Sequence, residues 1–140
     1  YDLALREGHD DLPGLIARVV GSNRLALCGS PEYLARKGLP VNPQTLEQHE
    51  WLLYQHPLLS REFWWAERDG QRLSLAQPAA PLLRSDNYDL LLASALAGRG
   101  LLHTPLWSAA PYIADGRLVL LKPDCPLDVP LYYAAACRLP

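Results

Sequence analysis

Hydrophobic and polar positions change period several times along the 140-residue chain, and each change marks an element. The clearest case spans residues 85–105. Tyr88, Leu91, Leu92, Ala95 and Leu96 recur at helical spacing and give one apolar stripe. Ser85 or Asp86 can accept the first free helical N–H groups, and Asp86 and Asp89 suit the positive end of the helix dipole. Gly98 or Gly100 can adopt the left-handed conformation that closes a helix. Leu101, Leu102, His103 and Thr104 then form a run short enough for a sheet strand, which Pro105 stops. The stretch predicts a capped helix, a glycine turn and a buried strand that ends in polar residues.

The rest of the chain alternates between short strands and short helices. Residues 2–6 predict a strand that Gly8 and the polar His9, Asp10 and Asp11 end. The apolar run 15–20 leads into a turn at Gly21, Ser22 and Asn23, and residues 25–28 predict another strand. Ser30 as cap, Pro31 at the first helical position, basic Arg36 and Lys37, and then Gly38 make a compact helix signal. Asn42 and Pro43 repeat the device for a second short helix, and residues 51–54 follow as a strand. Residues 62–67 and 72–76, separated by Asp69 and Gly70, predict a β-hairpin in which consecutive Trp64 and Trp65 face opposite sides. Pro78 and Pro81 flank a connector into residues 82–84, which deliver the chain to the helix; 106–110 read as a short helical stretch, and Pro111 as the start of a turn that ends at Asp115 and Gly116. Apolar residues 118–121 and 131–136 predict two last strands, with a proline-containing connector between them.

Composition narrows the function classes. Hydrophobic residues make up 49% and charged ones 20%, which describes a globular chain able to bury a core. The formal net charge is −2 with no block of like charges, so no basic nucleic-acid face is expected. No apolar run approaches the roughly 20 residues needed to cross a bilayer, so no membrane partner is expected. Cys28, Cys125 and Cys137 are odd in number and far apart, which argues against a disulfide framework or a zinc site and for reduced thiols in the cytoplasm. The histidines at 9, 49, 56 and 103 share no metal-ligand spacing, and no glycine-rich phosphate loop is present. No metal or cofactor is expected. His9 and His49 read as solvated loop residues. The lack of methionine and the strand at the first residues give the expectation that the chain is a piece of a longer protein.

The candidate chemistry lies at strand ends. In open α/β sheets ligands bind beyond the carboxyl ends of strands, where helix N-termini also point. Ser85 to Asn87 and His103 to Thr104 therefore mark a candidate pocket, although an ordinary packing unit without ligand has the same pattern. Ser85, His103 and Asp86 can be written as a catalytic triad, but no nucleophile-elbow motif accompanies them, and no catalysis is expected.

A family resemblance rests on several stretches taken in order. They are Asp2-Leu3-Ala4-Leu5-Arg6-Glu7-Gly8, the run from Leu27 to Gly38, Asn42-Pro43 through Leu46 to His49, the run from Ala95 to Pro105, and Asp115-Gly116-Arg117-Leu118-Val119. Together they resemble the effector-binding domain of LysR-type transcriptional regulators. The resemblance implies an α/β, periplasmic-binding-protein-like (type 2) fold, mostly subdomain two with a remnant of subdomain one. Residues 1–20 would close subdomain one and form the first crossover, 21–128 would be subdomain two, and 129–140 the second crossover.

It further implies a small-molecule effector held in the cleft between subdomains. Binding to DNA would run only through an N-terminal winged helix-turn-helix outside this chain, in a full-length protein that is a homo-oligomer. Three places would line the cleft: His56 after one strand, Ser85, Asp86 and Asn87 opening a helix, and His103 and Thr104 ending another strand, with Arg6 at the first crossover. Such donors suit a carboxylate. Capping or solvated roles are equally open to each of them, and His103 also reads as a hydrogen-bonded core histidine. The runner-up is a solute-binding protein of the same fold that serves a transporter.

Overall fold

In a computed structural model of the chain, its two ends pair with each other. The structure describes residues 3–7, 15–23, 25–40, 43–55, 63–69, 71–121 and 131–138, with side chains in 25–40, 45–55, 69, 71 and 77–121. Strand β1 (Leu3–Glu7) and strand β2 (Leu15–Asn23) flank β10 (Leu131–Arg138) in an antiparallel sheet ordered β1-β10-β2. These strands belong to one unit, residues 1–24 with 130–140, while residues 25–129 form a second.

The turn expected at Gly21, Ser22 and Asn23 is instead part of β2. Gly21 pairs with Tyr133 and Val19 with Ala134, so Val20 is the extra residue of a bulge. Ladder bonds to the central strand outweigh the local turn preference, and the bulge absorbs the register change.

The second unit is built on a five-stranded sheet. Its strands are β3 (Leu25–Gly29), β4 (Trp51–Tyr54), β7 (Leu83–Ser85), β8 (Leu101–Pro105) and β9 (Val119–Leu121), ordered β7-β4-β8-β3-β9. β4 runs parallel to β7 and β8, whereas β3 runs antiparallel to β8 and β9. Residues 83–85, on the path from the connector to the helix and not expected as a strand, thus form an edge strand. A separate hairpin of β5 (Phe63–Arg68) and β6 (Gln71–Ala76) turns at Asp69, whose positive φ of 52° fits the tight two-residue loop expected there.

Helices cover both faces of the five-stranded sheet. On one face α1 (Pro31–Lys37) and α2 (Pro43–Leu46) place Tyr33 and Leu46 against Leu27, Trp51, Leu53, Leu101 and Leu121. On the other, Leu91 and Ala95 of α3 (Tyr88–Leu96) and Ala109 of α4 (Leu106–Ala114) pack on Cys28, Leu52 and Leu102.

The α1 signals are realised as read. Ser30 Oγ accepts from Tyr33 N at 3.1 Å, and Gly38 ends the helix at φ 83°. α4 differs from expectation, because one helix runs through Pro111. The proline forgoes one helical hydrogen bond, but Ala109, Tyr112 and Ile113 on either side of it pack into the core and hold the helix together. The turn after α3 brings Gly100 against the chain before β4, where a Cβ would stand 2.6 Å from Glu50 O.

Candidate functional site

The order of the strands places the site. β4 leads on to β7 on one side of it, whereas β8, reached from β7 through α3, leads on through α4 to β9 on the other side, so the connections part between β4 and β8. Ligands of open α/β sheets bind at the carboxyl ends of strands at such a point. Here the β4–β8 ladder stops at Leu52 and Leu102. Beyond it β4 stays with β7 as far as Tyr54 opposite Ser85, and β8 stays with β3 as far as Pro105 opposite Leu25. The sheet divides there.

Alternation along the strands decides which side chains share a face. Leu52 and Leu102 face α3, so Tyr54 and Thr104, two residues on, face it too, and Ser85 joins them through its pairing with Tyr54. Ser85, Tyr54 and Thr104 thus form a row of hydroxyls across three neighbouring strands. His103 lies on the opposite face, with Leu27 and α1. Adjacency in sequence had grouped His103 with Thr104, and the pleat separates them. It equally separates His103 from Ser85, so the triad that could be written from sequence does not assemble.

Above the row, α3 begins. Ser85 and Asp86 were expected as its cap, but Asn87 is the cap: its Oδ1 accepts from Asp89 N at 2.9 Å and from Leu90 N at 3.2 Å. Ser85 Oγ accepts from Asn87 N at 3.0 Å and steadies the approach to the helix. Asp86 and Asp89 are both exposed at this turn. Tyr88, the first helical residue, stacks on Tyr54 with ring centroids 4.2 Å apart and planes 6° from parallel. Neither tyrosine stood among the expected site residues. Period-two alternation from Leu52 could have found Tyr54, whereas Tyr88 was absorbed into the apolar stripe of the helix.

Thr104 is the most telling member. It is 0% exposed, and its Oγ1 has no hydrogen-bond partner among the described residues. A buried hydroxyl without a partner costs on the order of 1–3 kcal/mol. Of the other expected residues, Arg6 lies in β1 opposite Ala134, in the other unit, and His56 lies outside the described residues.

A second polar cluster stands at the opposite end of β4. Tyr33 Oη accepts from Glu50 N at 3.0 Å, donates to Glu50 Oε2 at 2.9 Å and lies 2.9 Å from His49 Nδ1. Lys37 Nζ meets Glu50 Oε1 at 2.8 Å. His49 is therefore a half-buried member of a network and not the solvated loop residue expected; burial holds its imidazole below the usual pKa, with Glu50 opposing and Lys37 reinforcing that shift. This cluster clamps α1 to the start of β4. Cys28, buried on the other face of the sheet with Leu52 and Leu102, donates to Leu102 O at 3.6 Å, and burial pushes its thiol up to about 12. Among the described residues no group of three or more metal-ligating side chains occurs, and no helix is long and apolar enough to cross a membrane.

The profile of the LysR substrate binding domain matches residues 1–138. The chain belongs to that family. An HTH-type transcriptional regulator of Haemophilus influenzae is 30% identical to this LysR-type domain over 126 residues, covering 89% of the chain and 42% of the relative. Among solved structures, the CrgA regulatory domain, a LysR-type regulator from Neisseria meningitidis, superposes with a TM-score of 0.76 at 27% identity, covering 97% of the chain and 65% of the CrgA domain. The full-length Vibrio cholerae virulence activator AphB superposes at 0.82 with 22% identity, covering 99% of the chain and 46% of AphB, a likeness of fold. The fold is the α/β, periplasmic-binding-protein-like type 2 fold of these regulatory domains. The relatives are transcriptional regulators, not transporter solute-binding proteins. The chain spans less than half the length of the curated relatives it matches.

Proposed function

We propose that this LysR-type domain senses a small-molecule effector at the carboxyl ends of β4, β7 and β8, and that occupancy there adjusts DNA binding by the full-length cytoplasmic regulator. Ser85, Asn87 and Thr104 would hold the effector, with Asp86 at the rim. Arg6 and His56 belong to the same proposal as further polar contacts. His103, turned to the other face, would serve the core. The full-length protein would reach DNA through an N-terminal helix-turn-helix and act as a homo-oligomer.

The observation that supports this reading is Thr104, a buried hydroxyl with no partner among the described residues, at the point where the sheet divides. Two states with different effector affinity are enough for such a domain to act as a switch, because a ligand shifts an equilibrium only through that difference. A thermal-shift screen of small organic acids and amides on the intact protein identifies a ligand. Thr104→Val should then weaken it at least tenfold, with Ser85→Ala giving a smaller loss. Unchanged affinity in both variants would place the effector elsewhere.

A further inference from the structure

The same site carries information about what it accepts. Resting on the effector reading above, we propose that the ligand is a small planar ring compound, aromatic or heteroaromatic, bearing no more than one negative charge, and that Tyr54 and Tyr88 set this preference.

The planar part follows from the order of the row. Tyr54 stands between Ser85 and Thr104 on the strand between theirs. Because Tyr54 stands in the row between the two hydroxyls, a ligand that touches both passes along the Tyr54 side chain. That side chain does not stand alone: the parallel stack with Tyr88, 4.2 Å away, makes a rigid flat wall. Flat walls of this kind favour ring ligands, which gain from stacked or edge contacts beyond the area they bury.

The charge limit follows from the start of α3. The positive end of a helix attracts anions through its free N–H groups, but here Asn87 Oδ1 already takes those of Asp89 and Leu90. The carboxylates of Asp86 and Asp89 stand exposed in the same turn. Among the described residues of this unit no basic side chain joins them. Arg84 faces the other side of the sheet beside Leu53, Arg36 and Lys37 belong to α1, and Arg99 and Arg117 follow the far ends of α3 and α4. What the site does offer is hydroxyls, sufficient for one carboxylate or one carbonyl. A second negative charge would meet two aspartates and no countercharge.

The test uses the intact protein and five probes at millimolar concentration: benzoate, benzamide, cyclohexanecarboxylate, phthalate and succinate. Benzoate and benzamide should raise the melting temperature. Cyclohexanecarboxylate, which has the charge of benzoate without its plane, should bind about fivefold more weakly, and the two dianions should give no shift. Tyr54→Leu and Tyr88→Leu, checked for an unchanged circular dichroism spectrum without ligand, should remove the difference between benzoate and cyclohexanecarboxylate. The preference is overturned if phthalate or succinate binds more tightly than benzoate, or if neither planar probe gives a shift. If a planar probe binds but ignores Thr104→Val, the site reading itself fails. If Thr104→Val abolishes binding while both tyrosine variants keep the full preference for benzoate, only the role of the rings fails.

Discussion

Tyr33 Oη and Glu50 meet twice, once as acceptor from the Glu50 backbone N–H at 3.0 Å and once as donor to its carboxylate at 2.9 Å. Because the single hydroxyl proton goes to the carboxylate, His49 Nδ1 is left as the donor in the third contact. Tyr33→Phe keeps the ring packed among Leu27, Trp51 and Leu101 but strands the Glu50 N–H. The variant should lose about 1–3 kcal/mol of stability, read as a lower urea midpoint with an unchanged slope.

Glu50 also gives an acid-limb prediction. Its carboxyl titrates at about 2 against an ordinary 4.5, held down first by the hydrogen bond from Lys37. A depressed folded value means that the stabilisation is complete above pH 4.5 and is lost as pH falls towards 2. Both side chains are partly exposed, so the effect should be about 1 kcal/mol or less. In urea titrations Glu50→Gln should be less stable than the parent at pH 7, and the gap should narrow at pH 3. A gap that stays constant between those two pH values would mean that the pair does not contribute.

Two glycines should respond differently to alanine. At Gly100 the new Cβ would stand 2.6 Å from the Glu50 carbonyl oxygen, a backbone atom that also accepts from Leu101 N and cannot retreat without breaking that bond. At Gly38 nothing lies within 4 Å and only the φ of +83° opposes a side chain. Gly100→Ala should cost about 3 kcal/mol or more and Gly38→Ala about 1–2 kcal/mol, compared by thermal melts. Equal losses would show that the close approach at Gly100 is relieved by movement.

Asn87→Ala removes the acceptor for two N–H groups at the start of α3 and should cost about 1 kcal/mol. Asp86→Ala should cost less, since Asp86 accepts neither bond. The reverse order in chemical denaturation would return the cap to the position expected from sequence.

Burial and a pKa of about 12 make the Cys28 thiol a poor nucleophile. At pH 8 iodoacetamide should leave the Cys28 peptide unmodified in the native protein and label it fully in urea, as read by mass mapping. Labelling at similar rates in both states would contradict the buried placement.

Features whose cause is local were legible in the sequence. Ser30, Pro31 and Gly38 specify α1 through short-range bonds and fixed dihedrals, and Asp69 with Gly70 specifies the β5–β6 turn in the same way. The family, and with it the fold, was legible from the order and spacing of several such stretches. Other outcomes were settled by bonds between residues far apart in the chain. Pairing with β10 carried β2 through a local turn signal, core contacts of Ala109, Tyr112 and Ile113 carried α4 through Pro111, and Tyr33 drew His49 out of solvent.

The site shows the same division most clearly. The sequence by itself determined that polar residues stand at the end of one strand and the start of one helix. Only the tertiary structure decided that Thr104 shares a face with Ser85 and Tyr54 while His103 does not, and that Asn87 spends its oxygen on the helix. The physical reason is that pleat and register assign each side chain to a face, and register is fixed by partners distant in the chain, 74 residues away in the case of Cys28 and Leu102.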